Sequence, residues 1–147
     1  MNWQFKHFDN LNPEESKAIE EVRRKIFAEN GEKDLNDIFG TAPDTHCHHL
    51  FAMVDDHVAA YCRVIDEGDR FRIARVLVHP NYRGRGLGQE LVTKAVEYIQ
   101  SEFDGKHVTL SALSYVKRMY EKLGFQSEGE EFDMNGIPSI EMTKRLD

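Results

Sequence analysis

The sequence is short of the features that mark most classes other than a plain folded domain. Cysteine occurs only twice, at Cys47 and Cys62, without metal-knuckle spacing and far short of a disulfide framework. Both therefore read as reduced thiols of a cytoplasmic protein. Long apolar runs are missing: no window approaches the ~20 residues that cross a bilayer, and Met1 to His7 lacks an apolar stretch of signal length. Positive charge is scarce as well. With 19 Lys and Arg against 26 Asp and Glu, a net charge of −7, the chain is poorly suited to a nucleic-acid binder that neutralises many phosphates, although a local basic patch still suits one small polyphosphate. No internal repeat, low-complexity tract or linker-like composition shift occurs. What remains is 147 residues, 40% of them hydrophobic, enough to bury a core as a single domain over 1–147.

The stretch from Phe71 to Ile99 organises the rest. It reads as a β-branched strand ending at Pro80, a basic loop with Gly84, Gly86 and Gly88 in alternation, and a helix from about Leu87. Glycines let a backbone approach a ligand closely, and a helix N-terminus offers unpaired N–H groups. Arg83 and Arg85 add charge and donors. The loop is thus an anion cradle suited to phosphate oxygens; the plainer reading is a tight turn with two solvated arginines.

Along the chain, Trp3 to Phe8 alternates as a first strand. Asn12-Pro13-Glu14-Glu15 starts a helix, with a capping Asn, Pro at the first position and acids on the positive dipole end. That helix runs to about Ala28 with Ala18, Ile19, Val22 and Ile26 on one face, and Asn30-Gly31 ends it. Residues 31–48 are polar, with a short helix around Asp34 to Phe39. Leu50 to Val54, Val58 to Ile65 and Phe71 to Val78 form an antiparallel meander. The next helix buries Leu87, Leu91, Val92, Ala95 and Ile99. His107 to Leu110 is then a strand parallel to 71–78 through a right-handed crossover. A helix over Tyr115 to Leu123 stops at Gly124. The last strands are Phe125 to Ser127 and Ser139 to Lys144, separated by an acidic loop. The expected fold is α/β (α+β), a mixed, mostly antiparallel sheet of about six to seven strands with helices on both faces.

Two separated motifs carry a resemblance. Arg83-Gly84-Arg85-Gly86-Leu87-Gly88 after a strand is similar to the acyl-CoA signature of the GNAT superfamily of N-acetyltransferases, and Tyr120-Glu121-Lys122-Leu123-Gly124-Phe125 resembles its later Tyr-x-x-x-Gly-Phe. Within it the chain resembles the ElaA-like branch, through His49, Arg63, Arg75, Gly136-Ile137-Pro138 and Met142. Two positions depart from the pattern: Ser139 stands where the branch usually has His, and Leu113 where Asn is often found.

The resemblance implies acetyl-CoA as cosubstrate. Its pyrophosphate meets the N–H groups of Arg83, Gly84, Arg85, Gly86, Leu87 and Gly88, and its pantetheine arm meets the edge of Val76, Leu77 and Val78, where that strand splays from 107–110. An amine attacks the thioester directly in a ternary complex, and an N–H near Leu77 or Val78 stabilises the oxyanion. Tyr120 is the implied acid for the leaving thiolate, although helical spacing alone makes it a core tyrosine. No base stands out on strand 71–75; Glu29, Glu130, Glu131 and Asp133 are candidates through water. The run His46, Cys47, His48 and His49 has metal-like composition, but neighbours alternate sides and no second cluster follows, so no metal is expected. His49 reads as lining the acceptor pocket or capping a strand end. Arg63 and Arg75 read as a same-face ion-pair network or a clamp for an acceptor carboxylate.

Other functions remain open at this point. One is a CoA-binding sensor or interaction module without turnover. Another is a dinucleotide fold, which fits less well because Gln89 falls where the third glycine belongs. The acceptor is a small-molecule or peptide amine, with acidic loops favouring a cation such as a polyamine, an aminoglycoside-like base or a lysine side chain. A homodimer is open; neither nucleic acid nor membrane is expected as a partner.

Overall fold

A computed structural model describes residues 1–29, 43–134 and 136–146. The expected helix at Asp34 to Phe39 and the Asn30-Gly31 stop lie outside the described residues.

Strand β1 (Asn2–His7) leads to helix α1 (Pro13–Glu29). The helix start follows from its sequence: Asn12 Oδ1 accepts the Glu15 N–H at 2.8 Å while the Glu15 carboxylate accepts the Asn12 N–H at 3.0 Å, a reciprocal cap. Lys6 Nζ reaches the same carboxylate at 2.9 Å and ties the helix start to β1. Strands β2 (His48–Val54), β3 (His57–Asp66) and β4 (Phe71–Val78) form the expected antiparallel meander. Helix α2 (Leu87–Phe103) then crosses to β5 (His107–Leu113), which lies parallel to β4. A short helix α3 (Lys117–Lys122) precedes the hairpin of β6 (Gln126–Met134) and β7 (Ile137–Arg145).

The seven strands form one sheet in the order β1-β2-β3-β4-β5-β7-β6. Helix α1 covers one face, where Ala18, Ile19, Val22 and Ile26 pack on Phe51, Tyr61 and Leu77. The opposite face carries α2, whose Leu91, Val92, Ala95 and Ile99 pack on Leu50, Cys62, Ile73 and Leu110, with Tyr120 of α3 in the same cluster.

Two expectations need correction. The helix expected from Tyr115 is α-helical only from Lys117; Ser114–Val116 is a 3-10 turn that leaves Tyr115 75% exposed. The acidic stretch expected as a loop is most of β6. Edge strands need a backbone partner rather than an apolar face, and charges along them discourage unwanted pairing. Glu128, Glu130 and Glu131 are accordingly exposed on β6.

Candidate active site

Strands β4 and β5 pair only at Phe71↔Val108 and Arg72↔Thr109. Beyond Arg72 they diverge, so among the described residues the edge of β4 from Ile73 onward has no strand beside it on that side. A β-bulge shapes the same edge. Tyr61 pairs with Leu77 and Arg63 with Ala74, so Cys62 alone stands opposite both Arg75 and Val76. The extra residue inverts the alternation: Ile73, Val76 and Val78 pack on the α2 side, while Leu77 joins the α1 cluster. Arg75 absorbs the bulge with a left-handed backbone, φ 55°.

A cavity of about 620 Å³ fills the wedge. Ile26 and Glu29 of α1 line it from one face, and Met119 and Tyr120 of α3 from the other. It therefore passes between β4 and β5 and reaches both faces of the sheet. At one end lie Arg83, Gly84 and Gly88; at the paired apex lie Arg72 and Ser111.

The glycine loop has the expected geometry. Gly84 and Gly86 have φ of 78° and 72°, and Gly86 is the cap residue of α2. A Cβ at either position would meet nothing within 4 Å, so both need glycine for backbone conformation and leave open space beside the chain. Of the loop residues named from sequence, Arg83, Gly84 and Gly88 line the cavity with Val76, Leu77 and Val78, whereas Arg85, Gly86 and Leu87 do not. Leu87 is buried in the core. Arg85 lies over the Tyr82 ring at 5.5 Å. Arg83 donates to Glu29 at 2.6 Å, which joins the end of α1 to the cradle.

Tyr120 is 5% exposed, and its ring stands edge-on to Phe125. Its hydroxyl makes no hydrogen bond among the described residues, and burial, with a smaller contribution from Cys62, pushes the phenol above its ordinary value. It therefore keeps its proton at neutral pH beside the cavity.

Several site expectations change. His49 does not line the cavity: it is buried, with Nδ1 2.7 Å from the Tyr61 hydroxyl and Nε2 3.0 Å from the Asp44 carbonyl. Burial lowers its pKa and favours the neutral ring that such a bridge needs. Arg63 lies on β3 beside the bulge that holds Arg75. Arg63 is buried against Asp44 at 2.9 Å, and Arg23 of α1 holds the same carboxylate at 2.7 Å. Burial alone would raise the Asp44 carboxyl, but the two guanidinium groups outweigh it and hold it below its ordinary value.

The base candidates also separate. Glu131 accepts from Ser114 and Asp133 from the Gly136 N–H, both on the exposed hairpin, and Glu130 is exposed on the same strand. Only Glu29 lines the cavity. Ser139 is buried and its hydroxyl donates to the Ile137 carbonyl at 3.3 Å, whereas Leu113 lines the cavity.

Sequence reasoning missed the apex. Arg72 donates through Nε to Glu67 at 3.1 Å, through Nη2 to Glu141 at 2.6 Å and through Nη1 to Ser111 at 3.3 Å. Thr109 and Ser111 each donate to Glu141 at 2.8 Å. The available signal was the polar alternation Thr109, Ser111 on one strand and Glu141, Thr143 on another, which marks a polar inner face.

Comparison with known proteins agrees with this architecture. A family model described as an acetyltransferase (GNAT) domain matches residues 13–146. The chain is 27% identical to Protein ElaA of Escherichia coli strain K12, covering 99% of this chain and 97% of that protein. The crystal structure of Escherichia coli ElaA superposes with a TM-score of 0.85 over 99% of this chain and all (100%) of the other, at 26% identity. An acyl-CoA N-acyltransferase from Pseudomonas aeruginosa superposes equally, TM-score 0.85, at 27% identity over 98% and 99% of the two chains. An aminoglycoside 6′-N-acetyltransferase complexed with coenzyme A shares the fold, TM-score 0.70 at 16% identity, over 97% of this chain and 96% of that one.

Proposed function

The chain belongs to the GNAT acetyltransferase family, in its ElaA-like branch, and from that premise we propose that it transfers an acetyl group from acetyl-CoA to a primary amine by direct attack in a ternary complex. The observation that carries this reading is the divergence of β4 from β5 beyond Arg72, with a cavity that reaches both faces of the sheet. Such a passage admits the thioester from the α3 face and the amine from the α1 face, so the two meet without a covalent enzyme intermediate.

The residues present fit a CoA group. Loop N–H groups from Arg83 to Gly88 receive the pyrophosphate, with open space beside Gly84 and Gly86. The unpaired edge of Val76 to Val78 serves the pantetheine amides, as an added strand would be served. A β4 N–H near Leu77 or Val78 supports the negative charge that develops on the carbonyl oxygen. The amine nitrogen forms the C–N bond, the C–S bond breaks, and the proton lost by nitrogen ends on sulfur. Tyr120 is the donor for that sulfur. The two cysteines of the chain are buried and not joined in a disulfide, which suits a reducing compartment, and we place the protein in the cytoplasm as part of the same proposal.

The direct test is thiol release from acetyl-CoA against a broad panel of amines and peptides. Turnover with any amine supports transfer. Tight acetyl-CoA binding with no transfer across the panel would instead favour a CoA-binding module.

The cradle has its own test. Gly86→Val places a β-branched side chain at φ 72°, and left-handed backbone costs an L-residue roughly 1–2 kcal/mol. It should also fill the space beside the pyrophosphate and weaken acetyl-CoA about tenfold or more, ~1.4 kcal/mol. Gly68→Val is the matched control, since Gly68 has φ 92° and equally open surroundings in a turn outside the cavity. Both variants should lose similar stability in a thermal melt, and only Gly86→Val should lose affinity in calorimetric titration. Equal affinity in the two would remove the loop from phosphate binding.

A further inference from the structure

We propose that His79 is a positioning residue for the coenzyme: its neutral imidazole holds the turn that delivers Arg83 and Gly84 to the cavity, and protonating that ring loosens the turn and weakens acetyl-CoA binding. The proposal rests on the acetyl-CoA reading of the cradle and adds to it a residue that does not itself line the cavity.

His79 joins β4 to the glycine loop and is 8% exposed. Its N–H donates to the Ala59 carbonyl of β3 at 2.8 Å, which fixes the chain to the sheet at the point where the turn begins. Pro80–Tyr82 is then a single 3-10 turn, closed by the Tyr82 N–H donating to the His79 carbonyl at 2.9 Å. So short a turn leaves backbone donors without partners, and the His79 ring supplies one of them: Nδ1 accepts the Asn81 N–H at 3.1 Å. The same ring stands edge-on to Tyr82 at 5.5 Å, and Tyr82 carries Arg85 over its face at 5.5 Å. One side chain thus holds both the backbone of the turn and its aromatic ring. The residues that follow, Arg83 and Gly84, line the cavity, and Arg83 is anchored by its Nε donating to the Val78 carbonyl at 3.3 Å.

This cap works in one protonation state. Asn81 offers a hydrogen, so Nδ1 must be the bare nitrogen and Nε2 must carry the proton. A second proton, on Nδ1, would set two donors against each other, and the ring would have to leave the turn. Burial lowers the His79 pKa, and so do Lys25 of α1, His57 at the start of β3, whose ring centroid lies 6.2 Å away, and Arg83 of the loop. The capping form is therefore the one present at neutral pH. Because the capped turn holds the ring neutral below the ordinary imidazole pKa of about 6.5, the turn keeps its full stability above that value. It loses stability as the pH falls below it, by at most about tenfold per pH unit for one proton. Coenzyme affinity follows the fraction of the loop that is still capped.

A second turn of the same build serves as the control, since it lies away from the cavity: His7 Nδ1 accepts the Asp9 N–H at 3.2 Å in the 3-10 turn Phe8–Asn10. Equilibrium binding of acetyl-CoA from about pH 8 to about pH 5, a range that brackets imidazole titration, is compared for wild type, His79→Asn, His79→Ala and His7→Asn, with melts at each pH. Asn keeps an acceptor oxygen for the Asn81 N–H, suits the position before Pro and does not titrate. His79→Asn should retain most of the wild-type affinity at the alkaline end and bind about threefold or more tighter than wild type at the acid end. His79→Ala, which has no acceptor, should bind roughly 2- to 30-fold more weakly at the alkaline end, the range of a lost side-chain cap. His7→Asn should follow the wild type throughout. Titration of the coenzyme phosphates is common to every arm and cancels in these comparisons. Parallel acid profiles in wild type and His79→Asn would overturn the proposal. So would tighter binding by the wild type at the acid end, which would make His79 a charge acting on the phosphates. If the variants melt early, ring-nitrogen NMR of the wild type reads the same bond: a bare Nδ1 is expected at neutral pH, and a proton on Nδ1 would overturn the assignment. Each of these results leaves acetyl-CoA binding in place, whereas no binding by any of the proteins at any pH would overturn the coenzyme reading and this proposal with it.

Discussion

Tyr120→Phe is expected to lower kcat by about 10²–10⁴, the range of a lost general acid, while the melting temperature and the affinity for acetyl-CoA stay close to wild type. The ring provides the packing: it stands against Phe125 within the α2-side cluster, and Phe retains it. The hydroxyl makes no hydrogen bond among the described residues, so its removal leaves no partner unsatisfied and costs little stability. Burial keeps the phenol protonated, which leaves it able to donate and unable to act as a base at neutral pH. An alkyl thiol is more acidic than an ordinary phenol, so full proton transfer from Tyr120 to sulfur is uphill unless coupled to proton loss from the amine. In the proposed mechanism the hydroxyl therefore donates to the developing thiolate as the C–S bond breaks and regains a proton from the acceptor nitrogen. Steady-state kinetics on the best amine, with melts alongside, provide the check. Equal kcat in the two proteins would leave the thiolate to water, and a stability loss of about 1 kcal/mol with unchanged kcat would identify a merely structural tyrosine.

Arg72→Met is expected to destabilise the fold by about 3–5 kcal/mol, because it removes one partner from a buried ionic cluster. Arg72 is 4% exposed. Burial disfavours its charge, but Glu141 and Glu67 outweigh that cost and raise its pKa further. In the variant, Glu141 keeps only the hydroxyls of Thr109 and Ser111 in a largely dehydrated setting. Glu67 loses less, since Arg70 reaches it at 3.3 Å. A second substitution should reveal the cause. Arg72→Met with Glu141→Leu should recover a large part of the loss, because removing both members of a buried pair is often nearly neutral. Urea unfolding of the wild type, the single and the double variant measures this. A single variant within about 1 kcal/mol of wild type would mean that the apex is not held by charge.

The parts of this protein legible in its sequence are those whose causes lie within a few residues. The α1 start is one: Asn12 and Glu15 cap each other three positions apart. The β4 strand and the α2 face are others, written in the period of their apolar residues. The loop from Arg83 to Gly88 was legible for the same reason, since left-handed glycines and a helix start are local facts. Strand β6 was not, because an acidic edge is stabilised by the backbone of β7 and carries no apolar period of its own. Which of the two readings of His49 holds was not legible, because its partners, Tyr61 and the Asp44 carbonyl, belong to a neighbouring strand and a preceding turn.

By itself, then, the sequence determined the order and type of most elements and the backbone conformation of the glycine loop, since both depend on local backbone preferences and spacing. The tertiary structure alone decided where β4 leaves β5, and with it the cavity, since that divergence arises from a bulge opposite Cys62 and from pairing that ends after Arg72. It also assembled the apex of the cavity. Arg72 meets Ser111 and Glu141 across 39 and 69 residues of chain, and only the packed sheet brings those groups together.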